Sequence, residues 1–274
     1  MINLTTIKTI ISLILITFLA TNVSAQVIDT TKYVAKYNIT YSRDSTNVEN
    51  IKNEVMILNI GNHNSIFYSK NSLYKDSIKQ IMFSNYKKTG KLAVPSNIPK
   101  TKFNYNIIKD YNKNEINFYD QSLSGGKFCI NEKIDSFKWN LKNKNKSISG
   151  YKCQLATCIY AGREYEAWFT TEIPFRDGPY KFSGLPGLIV KIYDTKNHYS
   201  FELISFEKVI KETKISYPKN KIFYSNTSRE NYCEIQRIAL KKIASDYAMQ
   251  SNSANDKLNV KKQLKKNNNP IELK

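Results

Sequence analysis

The sequence predicts an α+β fold that is mainly antiparallel β. The expected form is a single curved sheet or partial barrel of about 8–10 strands, with one helix near 71–88 and a C-terminal helix near 229–249. Three observations carry this. From Phe103 onward, short segments of alternating polarity follow one another, separated by Asn/Lys/Gly turns, as in an antiparallel meander. The chain holds 19 Tyr and 13 Phe, and aromatic and β-branched residues favour a pleated, half-buried surface. Helical periodicity is confined to two segments.

The elements follow in order. Ala35, Tyr37, Ile39 and Tyr41 alternate with Lys36, Asn38, Thr40 and Ser42, which is the period of a half-buried strand. Val55 to Ile60 and Ser65 to Ser69 flank the hairpin turn Gly61-Asn62-His63-Asn64. Across 71–88, Tyr74, Ile78, Ile81, Met82 and Asn85 form one helical stripe, broadened by Leu73 and Tyr86. Gly90 to Pro99 connects. Strands are expected at 103–109, 114–120, 127–133, 136–141, 147–160, 163–171, 188–194 and 199–207. In the last helix, Thr227 and Glu230 have capping-box spacing, and Tyr232, Ile235, Ile238, Ala239, Ile243 and Tyr247 form the apolar face. No repeat or second domain is visible, so 26–250 reads as one domain. Residues 251–274, lysine-rich from 257, read as a basic, solvated tail.

Residues 1–25 read as a cleavable export signal. Lys8 is the positive n-region, Ile10 to Ala20 the apolar run, and Val23-Ser24-Ala25 the small-residue cleavage site, leaving Gln26 first. The apolar run stops at Thr21-Asn22, short of the roughly 20 residues that span a bilayer. No cysteine follows it, so the lipoprotein route is closed, and no later segment is apolar enough to cross. A soluble periplasmic or secreted product is expected.

The formal charge is +19, one less without Lys8. Its lysines are scattered, and no RNP-like motif, zinc knuckle or helix-turn-helix pattern accompanies them, so no nucleic-acid partner is expected. Peripheral contact with an anionic surface is compatible with the charge. Export makes Cys129, Cys153, Cys158 and Cys233 disulfide candidates with three possible full pairings. Cys153 and Cys158 on one strand would lie ~16 Å apart, beyond the reach of about 7 Å that a disulfide allows. There is no CxxC. His63 and His198, the only histidines, each stand alone in a polar turn, so no metal or other cofactor is expected. Glu164 and Glu166 would share a strand face ~7 Å apart, a separation seen in glycosidase pairs, but lysine-rich surroundings favour ion pairing. Ser183-Gly184 is not a nucleophile elbow. No catalytic residue is assigned, and the balance leans non-enzymatic.

The informative stretch is Gly150 to Asp194. It carries Gly150-Tyr151-Lys152-Cys153, Ala167-Trp168-Phe169-Thr170, Glu172-Ile173-Pro174, Gly178-Pro179-Tyr180-Lys181-Phe182 and the hexapeptide Gly184-Leu185-Pro186-Gly187-Leu188-Ile189. In these residues the sequence resembles the GLPGLI family, envelope proteins found mainly in Bacteroidetes. The resemblance implies an exported protein of the envelope and no particular reaction. Arg163, Tyr165, Ala167 and Phe169 should share one strand face, opposite Glu164, Glu166, Trp168 and Thr170. Pro174, Pro179 and Pro186 with Gly178, Gly184 and Gly187 then make a rigid loop, with a type II turn expected at Pro186-Gly187. This loop either plugs the sheet with Phe182, Leu185 and Leu188, or walls a binding cleft. In the second case Trp168, Pro179, Tyr180, Phe182, Gly184, Leu185, Pro186 and Gly187 are the binding candidates. The functional expectation is an accessory protein binding an apolar ligand or a partner protein. The alternatives are an envelope enzyme acting on peptide or glycan through Glu164, Glu166 or Asp177, and a module docking on a membrane partner through its basic tail.

Overall fold

The computed structural model describes residues 26–42, 44–45, 50–218, 221–250 and 270–272. The export segment and all of the basic tail except Pro270–Glu272 lie outside these. The elements are β1 (Val27–Thr30), β2 (Tyr33–Ser42), β3 (Ile51–Ile60), β4 (Asn64–Ser69), α1 (Lys70–Thr89), β5 (Asn106–Asp110), β6 (Glu115–Gln121) and β7 (Lys127–Lys133). They continue with β8 (Asn140–Ile148), β9 (Tyr151–Tyr160), β10 (Arg163–Thr170), β11 (Leu188–Asp194), β12 (Tyr199–Lys208), β13 (Lys214–Ser216), β14 (Ser225–Thr227) and α2 (Arg229–Gln250).

Twelve strands form one sheet in the order β14-β7-β6-β5-β4-β3-β2-β12-β11-β10-β9-β8, and β1 pairs with β13 beside it. Two meanders, β2 to β7 and β8 to β12, are joined by antiparallel pairing of β12 with β2. Only β14 runs parallel to its neighbour. Alternation sets the faces: Ala35, Tyr37, Ile39 and Tyr41 of β2 are all buried in the main core. A smaller core of Ile108, Tyr119, Cys129 and Tyr217 forms separately, with Ile28 of β1 packed against it.

The sheet is open, yet its ends meet. Nine strand spacings separate β7 from β9, which at ~4.8 Å each would be ~43 Å on a flat sheet. The Tyr160 hydroxyl of β9 nevertheless lies 2.9 Å from Glu132 Oε2 of β7. The sheet therefore curls until its two ends touch through side chains, with no backbone ladder between them.

Some expectations change at this level. Where a strand was expected at 136–141, a 3-10 turn at Ile134–Ser136 leads into irregular chain over 137–139, and β8 starts only at Asn140. This short segment carries the chain from one end of the sheet to the other, and Phe137 and Trp139 within it pack on Phe182. At α2 the cap is Ser228, whose Oγ accepts the Asn231 N–H at 3.1 Å, because Thr227 is engaged in β14 opposite Ile130. Helix α1 begins at its Ser69 cap and ends at Gly90 with φ of 68°. It rests on β3 and β4 and buries only Ile78. Leu73, Tyr74, Ile81 and Tyr86 of its apolar stripe stay exposed. No helix among the described residues is long and apolar enough to cross a membrane.

Between Thr170 and Leu188, which pair across β10 and β11, the chain makes a long excursion whose neck is Gly187. A Cβ there would lie 2.0 Å from the Thr170 carbonyl oxygen, and φ is +156°. Gly187→Ala should cost about 3 kcal/mol or more in urea unfolding. Gly125→Ala, also at positive φ but with nothing near its Cβ, should cost about 1 kcal/mol. Equal costs would mean that the neck is not a close approach.

Candidate functional site

The excursion 171–187 turns inward and fills the curl. Phe182 is fully buried and packs on Tyr160, Tyr165 and Tyr180 as well as on Phe137 and Trp139. Tyr180, with φ of 55°, meets Tyr105, Phe118 and Phe201 from three further segments of the curl. The loop's backbone is tied down inside. Gly184 N–H donates to Arg176 O at 3.0 Å, Leu188 N–H to Ile173 O at 3.0 Å, and Ile189 N–H to Asp177 O at 3.0 Å. Tyr37 of β2 donates to Ile189 O at 2.8 Å. Pro186 centres a three-residue turn closed by Gly187 N–H to Leu185 O at 2.8 Å. That replaces the expected type II turn, since Gly187 is drawn out toward the Thr170 carbonyl.

The anchor is Lys109. Alternation on β5 places it on the same face as Ile107, inside the curl. Its ammonium, 0% exposed, donates to Asp177 Oδ1 at 2.6 Å, Gly178 O at 2.7 Å and Phe182 O at 3.0 Å. Three acceptors use all three of its protons. Burial pushes the Lys109 ammonium down, and the Asp177 carboxylate offsets only part of that.

Where the two ends of the sheet meet, a second polar cluster forms the seam. Lys181 Nζ, also fully buried, lies 2.9 Å from Glu132 Oε2 and 2.7 Å from Glu272 Oε1. Glu272 Oε1 also accepts from Tyr180 at 2.7 Å and lies 3.0 Å from the Tyr160 hydroxyl. Arg229, at the start of α2, approaches Glu132 Oε1 at 3.4 Å. Arg163 grips the backbone that leads to Glu272: Nη2 donates to Pro270 O at 2.6 Å and Nε to Ile271 O at 3.1 Å. Tyr165 adds a hydrogen bond to Ile271 O at 3.3 Å. Arg163 is itself held by Asp194 Oδ2 at 3.1 Å and His198 Nδ1 at 3.2 Å. Since arginine can only donate, Nδ1 accepts and His198 carries its proton on Nε2. Burial pushes the His198 imidazole down, and Arg163 adds to this against Asp194.

The residues singled out in the sequence are placed as follows. Trp168, Pro179, Tyr180, Phe182, Leu185 and Gly187 are buried, Gly184 is half-buried and Pro186 is exposed. Trp168 lies on the opposite face of β10 from Tyr165, with the Lys146 ammonium 4.0 Å from its ring centroid. Glu164 is exposed, while Glu166 accepts from the Tyr193 hydroxyl and Asp177 belongs to Lys109, so these two carboxylates are engaged separately. All four cysteines are free thiols, and burial raises Cys158 to about 12 and Cys153 to about 11. Among the described residues no group of His, Cys, Asp and Glu could hold a metal ion. In the segment expected to be solvated, Glu272 is buried and Ile271 half-buried at the seam, while Pro270 stays exposed with its carbonyl held by Arg163. Lys109, Arg163 and Glu272 were not singled out as partners, and Lys181, a sequence neighbour of Asp177, pairs with Glu132 and Glu272 instead. A lysine on the apolar face of a strand was the one available signal, at Lys109.

Removing one partner from a buried ion pair typically costs about 3–5 kcal/mol, and Asp177→Ala should cost this much in urea unfolding. A loss under 1 kcal/mol would mean that the anchor is dispensable. Burial raises the Glu272 carboxyl, but Lys181 and the hydrogen bonds from Lys181, Tyr180 and Tyr160 outweigh it and leave it below its ordinary value. The stabilisation this group contributes is therefore complete above the unfolded value of about 4.3 and is lost as pH falls through the lower folded value. Glu272→Gln should flatten the acid limb of the stability profile below about pH 5. An unchanged limb would place the acid sensitivity elsewhere.

A family model described as "Protein of unknown function (Porph_ging)" matches residues 160–191. No curated protein matches the chain. Among solved structures, "Structure of PNGF-II in C2 space group" is similar at 12% identity and a TM-score of 0.49, over 77% of this chain and 33% of that one. "Structure of PNGF-II in P21 space group" gives 12% and 0.46, over 77% and 34%. The chain thus spans about a third of the length of those structures. The family match begins at Tyr160 and ends in β11, so it falls on the loop together with Arg163, Tyr165, Tyr180 and Lys181 of the seam.

Proposed function

We propose that the protein is an exported, non-enzymatic binding or accessory protein of the cell envelope, as its GLPGLI resemblance implies, and that it recognises a partner protein at its surface. One observation carries the choice of partner over apolar ligand: the interior of the curl is occupied by the protein's own loop. Tyr180, Phe182 and Leu185 stand where a lipidic ligand would sit in an open curved sheet, and each is at most 1% exposed. Two surface depressions, one lined by Asn145, Lys146, Lys152 and Gln154 among others and one by Asn117, Asn131, Lys221 and Asn226 among others, include no residue of 173–189. The non-enzymatic reading is supported by the separate engagement of Glu166 and Asp177. Ser183 is buried, and its hydroxyl donates to Lys181 O at 3.3 Å. Export is supported by the order of Lys8, the apolar run and Val23-Ser24-Ala25.

Expressed with its full sequence, the protein should be recovered from the periplasm or medium with an intact mass beginning at Gln26. Solvent extraction should release no stoichiometric lipid, and fluorescent fatty-acid probes should not be taken up. A retained leader would contradict export. One lipid per chain would contradict the partner-protein reading.

A further inference from the structure

The seam holds features of a receptor for a peptide. Pro270–Glu272 is not laddered to any described strand. Its backbone is read instead by side chains, with Arg163 and Tyr165 donating to two successive carbonyls, Pro270 O and Ile271 O. Carbonyl recognition of this kind is indifferent to side-chain identity. Selectivity comes from the next position, where the Glu272 carboxylate faces Lys181, Tyr160 and Tyr180, and from Ile271, which packs against the main core.

Among the described residues, the charges of the slot come closer to balance when an acid arrives from outside the sheet. Set Glu272 aside, and among the described residues the buried or half-buried cations Lys181, Arg163 and Arg229 face two carboxylates, Glu132 and Asp194. The remaining neighbour, Glu230, stands 4.0 Å from Arg229 and is 70% exposed. An uncompensated buried cation is costly, so the slot favours an incoming carboxylate. Its walls do not depend on the tail for their positions. Arg163 is fixed by Asp194 and His198, Lys181 by Glu132, and Tyr180 by Tyr105, Phe118 and Phe201. A preorganised slot loses little on binding.

The geometry points to a peptide-recognition site at the seam, one that takes an extended segment bearing an aliphatic residue followed by glutamate and that is occupied in cis by Ile271–Glu272. This deepens the partner-protein reading and rests on it: the partner is one that presents such an acidic segment. Ile271–Glu272 belongs to the same chain and occupies the slot intramolecularly, so a partner's segment competes with it for the same donors.

The test keeps the chain intact until it has folded. A protease recognition sequence replacing 258–264 is cut after purification, and a fluorescein-labelled peptide of residues 267–274 is titrated by anisotropy. The cut chain should bind it at least about tenfold more tightly than the uncut chain. A peptide with alanine for Glu272 should bind at least about tenfold more weakly than the native one. Equal binding to cut and uncut chains would overturn the proposal, as would a native peptide no better than the alanine peptide. So would a released segment that stays bound through gel filtration and blocks the labelled one, or a cut chain that unfolds, since either makes the tail a fixed part of the fold. None of these results bears on whether the curl holds lipid, so the two readings fail separately.

Discussion

A single fully buried ammonium holds the inside of this protein together. Lys109 reaches from β5 into the curl and gives all three protons to the loop: one to Asp177 and two to the carbonyls of Gly178 and Phe182. Burying a lysine is costly, and the cost is offset only when its partners are complete and well placed. Those partners lie on a segment that is neither helix nor strand, so the loop has one position in which the lysine is satisfied. That position seats Tyr180, Phe182 and Leu185 in the space the curved sheet encloses.

The same placement ties the ends of the sheet. Between β7 and β9 no backbone ladder forms, and contact is made by Tyr160, Glu132 and Lys181. Two of the seam's groups, Tyr180 and Lys181, stand on the loop that Lys109 anchors. Anchor, plug and seam are thus coupled through the short run from Asp177 to Phe182. The seam's third carboxylate comes from Glu272, so residues distant in sequence complete a cluster that β7, β9, β10 and the loop begin.

Much of the strand pattern was legible because alternation is local. β2, β6, β7, β11 and β12 fall within a few residues of the expected segments, and on β10 Arg163, Tyr165, Ala167 and Phe169 are buried, but so are Trp168 and Thr170 of the opposite face. Helix α1 was visible by period, but its stripe did not reveal which side would be covered, and Leu73, Tyr74 and Ile81 remain in solvent. The glycines and prolines marked the loop without disclosing its turn type, which depends on how near Gly187 comes to Thr170. The seam was hidden for a different reason. Glu132, Arg163, Lys181 and Glu272 are ordinary surface-type residues in a lysine-rich chain, and only the curl of the whole sheet brings them together. Lys109 was the exception, since a charged residue in register with Ile107 on an apolar face asks for a buried partner.

Native-state hydrogen exchange of the loop amides tests the central claim most directly. If the loop is the interior of the curl, the amides of Gly184, Leu188 and Ile189 should exchange only by global unfolding, with the same opening free energy as β2 and β12. Exchange of Gly184 and its neighbours at the rate of an open surface loop, while β2 and β12 stay protected, would contradict it.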